Sequence, residues 1–132
     1  MSKGEEKIAK ILEVNNLKFK REVTFPDLKG IKNNLLRFDF GVYENGKLLF
    51  LIEMDGIQHF SYIKHFHKNI SNFNRAREWD RKKNSYCLMH QIPLIRIPYW
   101  ALDQLTLVDL LKNPDYRVTT KWHQDDLIWD RG

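Results

Sequence analysis

The chain has 132 residues, of which 42% are hydrophobic and 30% are charged, with a formal net charge of +5. This composition excludes a disordered chain, and a chain of this length can bury about two-thirds of its unfolded surface, so we expect residues 1–132 to form one domain. A single cysteine excludes an internal disulfide, and no apolar run is long enough for a membrane span or a signal peptide. We therefore expect a cytoplasmic protein with no membrane partner, whose positive charge is compatible with binding nucleic acid.

The first predicted element is a helix over residues 2–16, in which apolar residues recur at helical spacing. Its start, SKGE, has the form of a capping box, so Glu5 either caps the helix together with Ser2 or belongs to a functional site. A strand is predicted in KFKREVTF and should end in a turn at Pro26, with DLKGIKNN as a loop.

The next two strands, LLRFDFGVY and KLLFLIEMD, are predicted to form a hairpin, because Asn45 and Gly46 between them are a strong turn signal. If only these two residues formed the loop, Glu53 would point to the opposite face of the sheet from Asp39. If Glu44 also belonged to the loop, Asp39 and Glu53 would share one face. We predict the three-residue loop, because its register places apolar residues of both strands on one continuous face of the hairpin. That face would comprise Leu36, Phe38, Phe40, Val42, Leu48, Phe50, Ile52 and Met54.

In this register Asp39, Glu53 and Asp55 lie together. Converging carboxylates repel each other unless a cation lies between them, and hard oxygen ligands suit Mg²⁺ or Mn²⁺. We therefore predict these three residues as metal ligands, with Mg²⁺ as the cofactor and Mn²⁺ as a substitute. Each has a structural alternative. Asp39 could pair with Arg37 or Arg96, Glu53 could likewise form an ion pair, and Asp55 could open a turn.

The segment SYIKHFHKNISNF shows no clear period and is interpreted as irregular. A helix fits residues 72–90, and a short apolar strand, IPLIRIPYW, follows between Pro93 and Pro98. A last helix is predicted over residues 102–112, and the tail, 115–132, is expected to dock on the core or on a partner. The predicted fold is α/β, with elements in the order α-β-β-β-α-β-α.

Asp80 and Lys83 are three positions apart on the second long helix and share a face. Lys83 could stabilise charge that develops on a phosphorane-like transition state, and Asp80 could orient His59 or a water molecule. Glu5 could complete this group, whereas His59 could equally be an ordinary polar loop residue.

Candidate nucleic-acid contacts lie after the hairpin and on the second long helix. The basic helix residues could equally form a solvated face or a patch that binds the DNA backbone. The candidates are Gln58, Arg75, Arg77, Arg81 and Lys82.

Five stretches between residues 4 and 100 carry a family resemblance. In chain order they are GEEKIAKILEVNNLKF, LRFDFGVY, LIEMDGIQHF, DRKKNSYC and IPLIRIPYW. Together they resemble the PD-(D/E)XK nuclease superfamily, and more narrowly its branch of phage-type and homing endonuclease-like proteins related to the very-short-patch-repair endonuclease. The resemblance implies a restriction-endonuclease-like fold, with a central mixed sheet flanked by helices. It also implies Mg²⁺-dependent hydrolysis of DNA phosphodiesters.

Within this resemblance, Asp39 corresponds to the first acid of the motif and Glu53 to the acid of the second strand. Glu5 corresponds to the acid of the first helix, and Asp80 matches the helical acid of the repair-endonuclease branch. These correspondences imply a catalytic role for each of the four residues.

The chain departs from the superfamily at Asp55, which stands where E-x-K nucleases have their lysine. Lys83 is a candidate for a lysine that has moved to the helix. The expected function is a metal-dependent DNA endonuclease, which could act as a homodimer. The alternatives are a catalytically inactive nucleic-acid-binding module and a nuclease subunit that depends on a partner protein.

Overall fold

The computed structural model describes residues 2–55, 70–98 and 118–119. The helices are α1 (Lys3–Val14) and α2 (Ile70–Met89), with a short 3-10 turn at Ile31–Asn33. The strands are β1 (Lys18–Lys29), β2 (Leu35–Glu44), β3 (Lys47–Asp55), β4 (Leu94–Pro98) and β5 (Val118–Thr119). Gln58, His59, the helix predicted over 102–112, most of the predicted irregular segment and most of the predicted tail lie outside the described residues.

The strands form one mixed sheet in the order β1-β2-β3-β4-β5. The first three are antiparallel neighbours, and β4 and β5 are added in parallel. The α/β class is confirmed. β1 runs past Pro26, where a turn was predicted, because an end strand tolerates a residue without an N–H donor. No helix in these ranges is both long and apolar enough to cross a bilayer.

The two helices cover opposite faces of the sheet. Alternate residues of β3 and β4 pack into two different hydrophobic clusters, as expected for side chains that alternate along a strand. The cluster on the α1 side includes Ile8, Leu12, Phe40, Val42, Phe50, Ile52, Ile95 and Ile97. The cluster on the α2 side includes Val23, Leu36, Phe38, Leu51, Cys87 and Leu94.

β2 does not keep one face towards one helix. Phe40 and Val42 pack on the α1 side, whereas Leu36 and Phe38 pack on the α2 side. Residues two positions apart normally share a face, so the strand turns over at Asp39. The single apolar face predicted for the hairpin is therefore wrong, because its residues divide between two cores.

β1 turns over at the matching position. Phe19 packs on the α1 side and Val23 on the α2 side, with Glu22 between them at a φ of 52°. This left-handed conformation is uncommon for a residue other than glycine. The pairing register of β1 with β2 is the same on both sides of Glu22, so the two strands twist together.

The loop of the hairpin has two residues. Glu44 pairs with Lys47, and the loop residues Asn45 and Gly46 have φ values of 52° and 78°. Positive φ at both central positions is the requirement of a type I′ turn. The predicted three-residue loop is therefore wrong.

A β-bulge shifts the register just beyond the turn. Tyr43 pairs with Leu48 but Val42 pairs with Phe50, which leaves Leu49 as an extra residue on β3. The shift moves every later residue of β3 by one position relative to β2. Asp39 and Glu53 are therefore brought to the same face of the hairpin, as they would have been with the predicted three-residue loop.

Candidate metal centre

Asp39 and Glu53 are joined through main-chain groups where the ladder between β2 and β3 ends. The amide of Asp39 donates to Glu53 Oε1 at 2.8 Å, and the amide of Met54 donates to Asp39 Oδ2 at 2.7 Å. The two carboxylates thus accept hydrogen bonds from amides that would otherwise continue the ladder. Each carboxyl group is thus held in place by a main-chain donor at normal hydrogen-bond distance. The structure brings these two residues together as predicted, but through the bulge.

Lys83 reaches Glu53 from α2. Its Nζ lies 3.0 Å from Glu53 Oε2 and 5.4 Å from the centroid of the Phe38 ring. The side chains of Lys83 and Glu53 are 13% and 4% exposed. A largely desolvated ammonium at this distance offsets the charge of Glu53 and places a cation beside the acidic pair.

The electrostatic surroundings of Asp39 favour its neutral form. Burial raises the pKa of Asp39 to about 7, with a further contribution from the negative charge of Glu53 and a smaller one from Glu5. The Met54 amide and Lys83 lower the pKa but do not outweigh these effects. The neutral form of Asp39 is therefore favoured mainly by its burial, and to a lesser extent by the neighbouring carboxylates.

Asp55 is bound to a fully buried arginine on the neighbouring strand. Arg96 Nη1 donates to Asp55 Oδ1 at 2.8 Å, and both side chains are 0% exposed. Arg96 Nη2 lies 3.3 Å from the main-chain oxygen of Asp80 and 3.6 Å from its Oδ1, and Nε donates to Asn84 Oδ1 at 2.8 Å. Although burial opposes it, the charges of Asp55 and Asp80 raise the pKa of Arg96, so the guanidinium stays charged.

Carboxylate oxygens of Glu53, Asp55 and Asp80 lie within 4.8 Å of one another, and all three residues are buried. Oxygen donors of this kind are those that Mg²⁺ and Mn²⁺ prefer. Glu53 also accepts a hydrogen bond from the main-chain amide of Asp39, so the Asp39 side chain is a further candidate ligand beside this group. A divalent cation would be held either by Glu53 with Asp39 or by Glu53 with Asp55 and Asp80.

The polar residues of α2 converge on this point because of their spacing. Asp80, Lys83 and Asn84 stand at positions i, i+3 and i+4, which share a helical face. Cys87 continues that face and is fully buried in the core on the α2 side. The prediction that Asp80 and Lys83 approach one point agrees with the structure. Asn84 was not singled out, although its spacing of four from Asp80 is a usable signal.

Ser2 caps α1 and Glu5 is its partner in the capping box, which is one of the two roles predicted for Glu5. Its amide donates to Ser2 Oγ at 3.2 Å, and its side chain is 2.8 Å from Arg21, a residue that was not singled out. These residues and Glu22 line an open cleft of about 480 Å³. The charge of Glu5 contributes to the raised pKa of Asp39, so this residue of the capping box also belongs to the electrostatic surroundings of the centre.

The basic residues predicted to contact nucleic acid differ in exposure. Arg75 is exposed and Arg81 is partly exposed, whereas Arg77 is buried. Lys82 is exposed, and its amine donates to the main-chain oxygen of Lys29. The position of Arg77 corrects the predicted surface, because a buried guanidinium does not suit contact with a phosphate backbone.

The chain is similar to one curated viral protein. It is 33% identical over 72 residues to "Uncharacterized protein 307L" of Invertebrate iridescent virus 6. The aligned region covers 54% of this chain and 36% of the viral protein, so the chain spans about a third of that relative's length. No family model and no solved structure matches the chain significantly.

Proposed function

We propose that this protein is a Mg²⁺-dependent DNA endonuclease with a restriction-endonuclease-like fold of the PD-(D/E)XK type. The observation that carries the proposal is the position of Lys83. The motif would place a lysine at Asp55, but that residue is bound to Arg96, and Lys83 approaches Glu53 from α2 at a distance of 3.0 Å. In this proposal, a lysine from the helix would take the role of the strand lysine of the motif, and its contact with Glu53 supports that role.

The donor set around Asp39 fits a magnesium ion. Asp39 and Glu53 supply carboxylate oxygens, the ligands that Mg²⁺ prefers, and both are held by main-chain amides. A divalent cation would also stabilise the ionised form of Asp39 against its burial and against the charge of Glu53, the two largest causes of its raised pKa. When bound, the ion would polarise the phosphodiester and lower the pKa of the attacking water.

The remaining residues would bind the substrate and stabilise charge. The ammonium of Lys83 would stabilise negative charge on the phosphoryl oxygens while the bond from water to phosphorus forms and the bond to the leaving oxygen breaks. Asp55 would hold Arg96, whose guanidinium also lies beside Asp80. Arg75 and Arg81 would contact the DNA backbone, consistent with the basic charge of the chain.

The environment of the single cysteine is relevant to the compartment in which the protein acts. Cys87 is buried and unpaired, and burial raises the pKa of its thiol to about 12. An inert thiol of this kind suits a reducing compartment, so we propose that the protein acts in the cytoplasm.

The decisive test is cleavage of supercoiled, branched and single-stranded DNA by purified protein, in Mg²⁺, in Mn²⁺ and in EDTA. We expect cleavage with either metal and none in EDTA. Asp39→Asn and Glu53→Gln should each reduce the rate by at least about a hundredfold while the circular dichroism spectrum is retained. Glu44→Gln is the matched control, because Glu44 is an exposed residue at the turn of the same hairpin.

Full activity in either site variant would contradict the assignment. DNA binding that survives EDTA, with no cleavage in any metal, would instead identify a catalytically inactive nucleic-acid-binding module. Cleavage that appears only with an added partner protein would identify a dependent nuclease subunit.

A further inference from the structure

One guanidinium group bridges two of the three buried acids. Arg96 Nη1 lies 2.8 Å from Asp55 Oδ1, and Nη2 lies 3.6 Å from Asp80 Oδ1. Arg96 and Asp55 are both 0% exposed, so water contributes little to compensating their charges. The Arg96 guanidinium thus lies beside two of the three acids, Glu53, Asp55 and Asp80, that would otherwise suit a metal ion.

The formal charges of the centre can be counted. The centre comprises Asp39, Glu53, Asp55, Asp80, Lys83 and Arg96. Counted over the described residues alone, these four carboxylates and two cations leave two negative charges when all are ionised. One divalent cation balances that remainder, whereas two would leave a positive excess in a buried site, which is unfavourable.

We infer that Arg96 is the resident cation of this centre. It neutralises Asp55 and Asp80, so that the protein recruits a single divalent ion, at Asp39 and Glu53. The inference rests on the proposed function for the metal site at Asp39 and Glu53, and it adds the number of ions and the residues that do not bind them.

A second ion at Asp55 and Asp80 would compete with the arginine for these two carboxylates. Magnesium bonds to oxygen at about 2.0–2.1 Å, so the ion would compete directly with Nη1 for the same carboxylate. Any weakening of these ion pairs would leave the buried guanidinium with less compensation for its charge, which is unfavourable. At Glu53, by contrast, each oxygen accepts one hydrogen bond, Oε2 from the ammonium of Lys83 and Oε1 from the Asp39 amide, and neither donor is a fully buried guanidinium.

Arg96 also positions the catalytic lysine. It holds the Asp80 main-chain oxygen and the Asn84 side chain, which flank Lys83 on α2. These contacts lock the rotation of the helix against β4. Arg96 is therefore a positioning residue for Lys83 as well as a counter-ion.

The test is the number of Mn²⁺ ions bound per chain, measured with the full-length protein by isothermal titration calorimetry and by the electron paramagnetic resonance signal of free Mn²⁺. We expect one ion in the wild type. Asp55→Asn should keep that ion with an affinity within about threefold of the wild type, whereas Glu53→Gln should weaken it by at least about a hundredfold. Arg96→Met should bind a second ion, and Arg96→Lys should restore a stoichiometry of one.

Two ions in the wild type, or loss of the ion in Asp55→Asn as severe as in Glu53→Gln, would overturn the role of Arg96 and leave the nuclease proposal standing. Absence of any bound Mn²⁺ in the wild type would overturn the metal site and the proposed function with it. A purely structural arginine would lower the melting temperature of Arg96→Met without changing its stoichiometry. The wild-type and Asp55→Asn measurements decide the matter even if the Arg96 variants do not fold.

Discussion

The main-chain amide of Asp39 donates a hydrogen bond of 2.8 Å to the carboxylate of Glu53. One acid of the candidate centre is therefore positioned by the backbone of the other. In return, the amide of Met54, the residue after Glu53, donates to the Asp39 carboxylate. The geometry of the pair depends on strand register rather than on side-chain packing. Changes at Asp39, at Lys83, at Asp55 and in the register should therefore have separable effects.

Stability should depend on pH through Asp39. Its pKa is raised from 3.8 to about 7, so between these values the folded state binds more protons than the unfolded state. Stability therefore falls as pH rises from about 4 to about 7 and then levels off for this group. Asp39→Asn keeps an oxygen acceptor for Met54 and carries no charge, so in metal-free buffer it should be more stable than the wild type at pH 8, by up to a few kcal/mol.

Urea unfolding at pH 5 and pH 8 checks this, with Glu44→Gln as an exposed control. If the wild type and Asp39→Asn lost the same stability between the two pH values, Asp39 would not be the titrating group. Addition of Mg²⁺ at pH 8 should stabilise the wild type and leave Asp39→Asn nearly unchanged, because ligand binding stabilises only the form that binds.

Lys83 should separate catalysis from metal binding. Lys83→Met keeps much of the apolar stem but removes the ammonium that contacts Glu53. We expect Mn²⁺ to bind at least as tightly, since a competing cation is gone, while the cleavage rate falls by about a hundredfold. Cleavage assays and calorimetry on the same preparation give both quantities. Lys47→Met, at an exposed position beside the turn of the hairpin, is the control. An unchanged cleavage rate in Lys83→Met would remove Lys83 from the mechanism.

The ion pair between Arg96 and Asp55 should contribute far more to stability than an exposed one. Asp55→Ala leaves a buried guanidinium without its closest anion, and the expected loss is about 3–5 kcal/mol. Arg37 and Glu22 form an exposed pair at 3.7 Å, so Arg37→Ala should cost less than about 1 kcal/mol. Chemical denaturation of both variants tests the contrast, and equal losses would mean that the buried pair is not held as described.

The identities of the acids were predictable from the sequence, but the way they meet was not. Carboxylates directly after apolar strands indicate a site, and the spacing of Asp80 and Lys83 placed both on one helical face. The partners of Arg96 depend on the parallel register that sets it beside Glu53, which no local pattern encodes. The alternation of Leu36, Phe38 and Phe40 likewise gives no sign that β2 turns over at Asp39.

The bulge is the clearest case of information missing from the local pattern. Leu49 is an apolar residue within an apolar run, so nothing marks it as the extra residue of β3. Its side chain is 40% exposed and belongs to neither core cluster. With a two-residue loop, Glu53 faces Asp39 only if Leu49 is left unpaired in a bulge. If Leu49 were paired instead, the register would shift by one residue and Glu53 would point to the opposite face.

Single-residue deletions should therefore have opposite effects on the two arms of the hairpin. Deleting Leu49 removes the bulge but leaves Val42 paired with Phe50, so Asp39 and Glu53 keep their facing and the protein should keep Mn²⁺ binding. Deleting Tyr43 from β2 would leave two residues of β3 instead of one without partners between the turn and the pair of Val42 with Phe50. The register should then shift, and Mn²⁺ binding should be lost even where the helical circular dichroism signal remains. Calorimetric titration with Mn²⁺ measures both variants. Retained binding after deletion of Tyr43, or lost binding after deletion of Leu49 in a folded protein, would show that the bulge does not set the register of the acids.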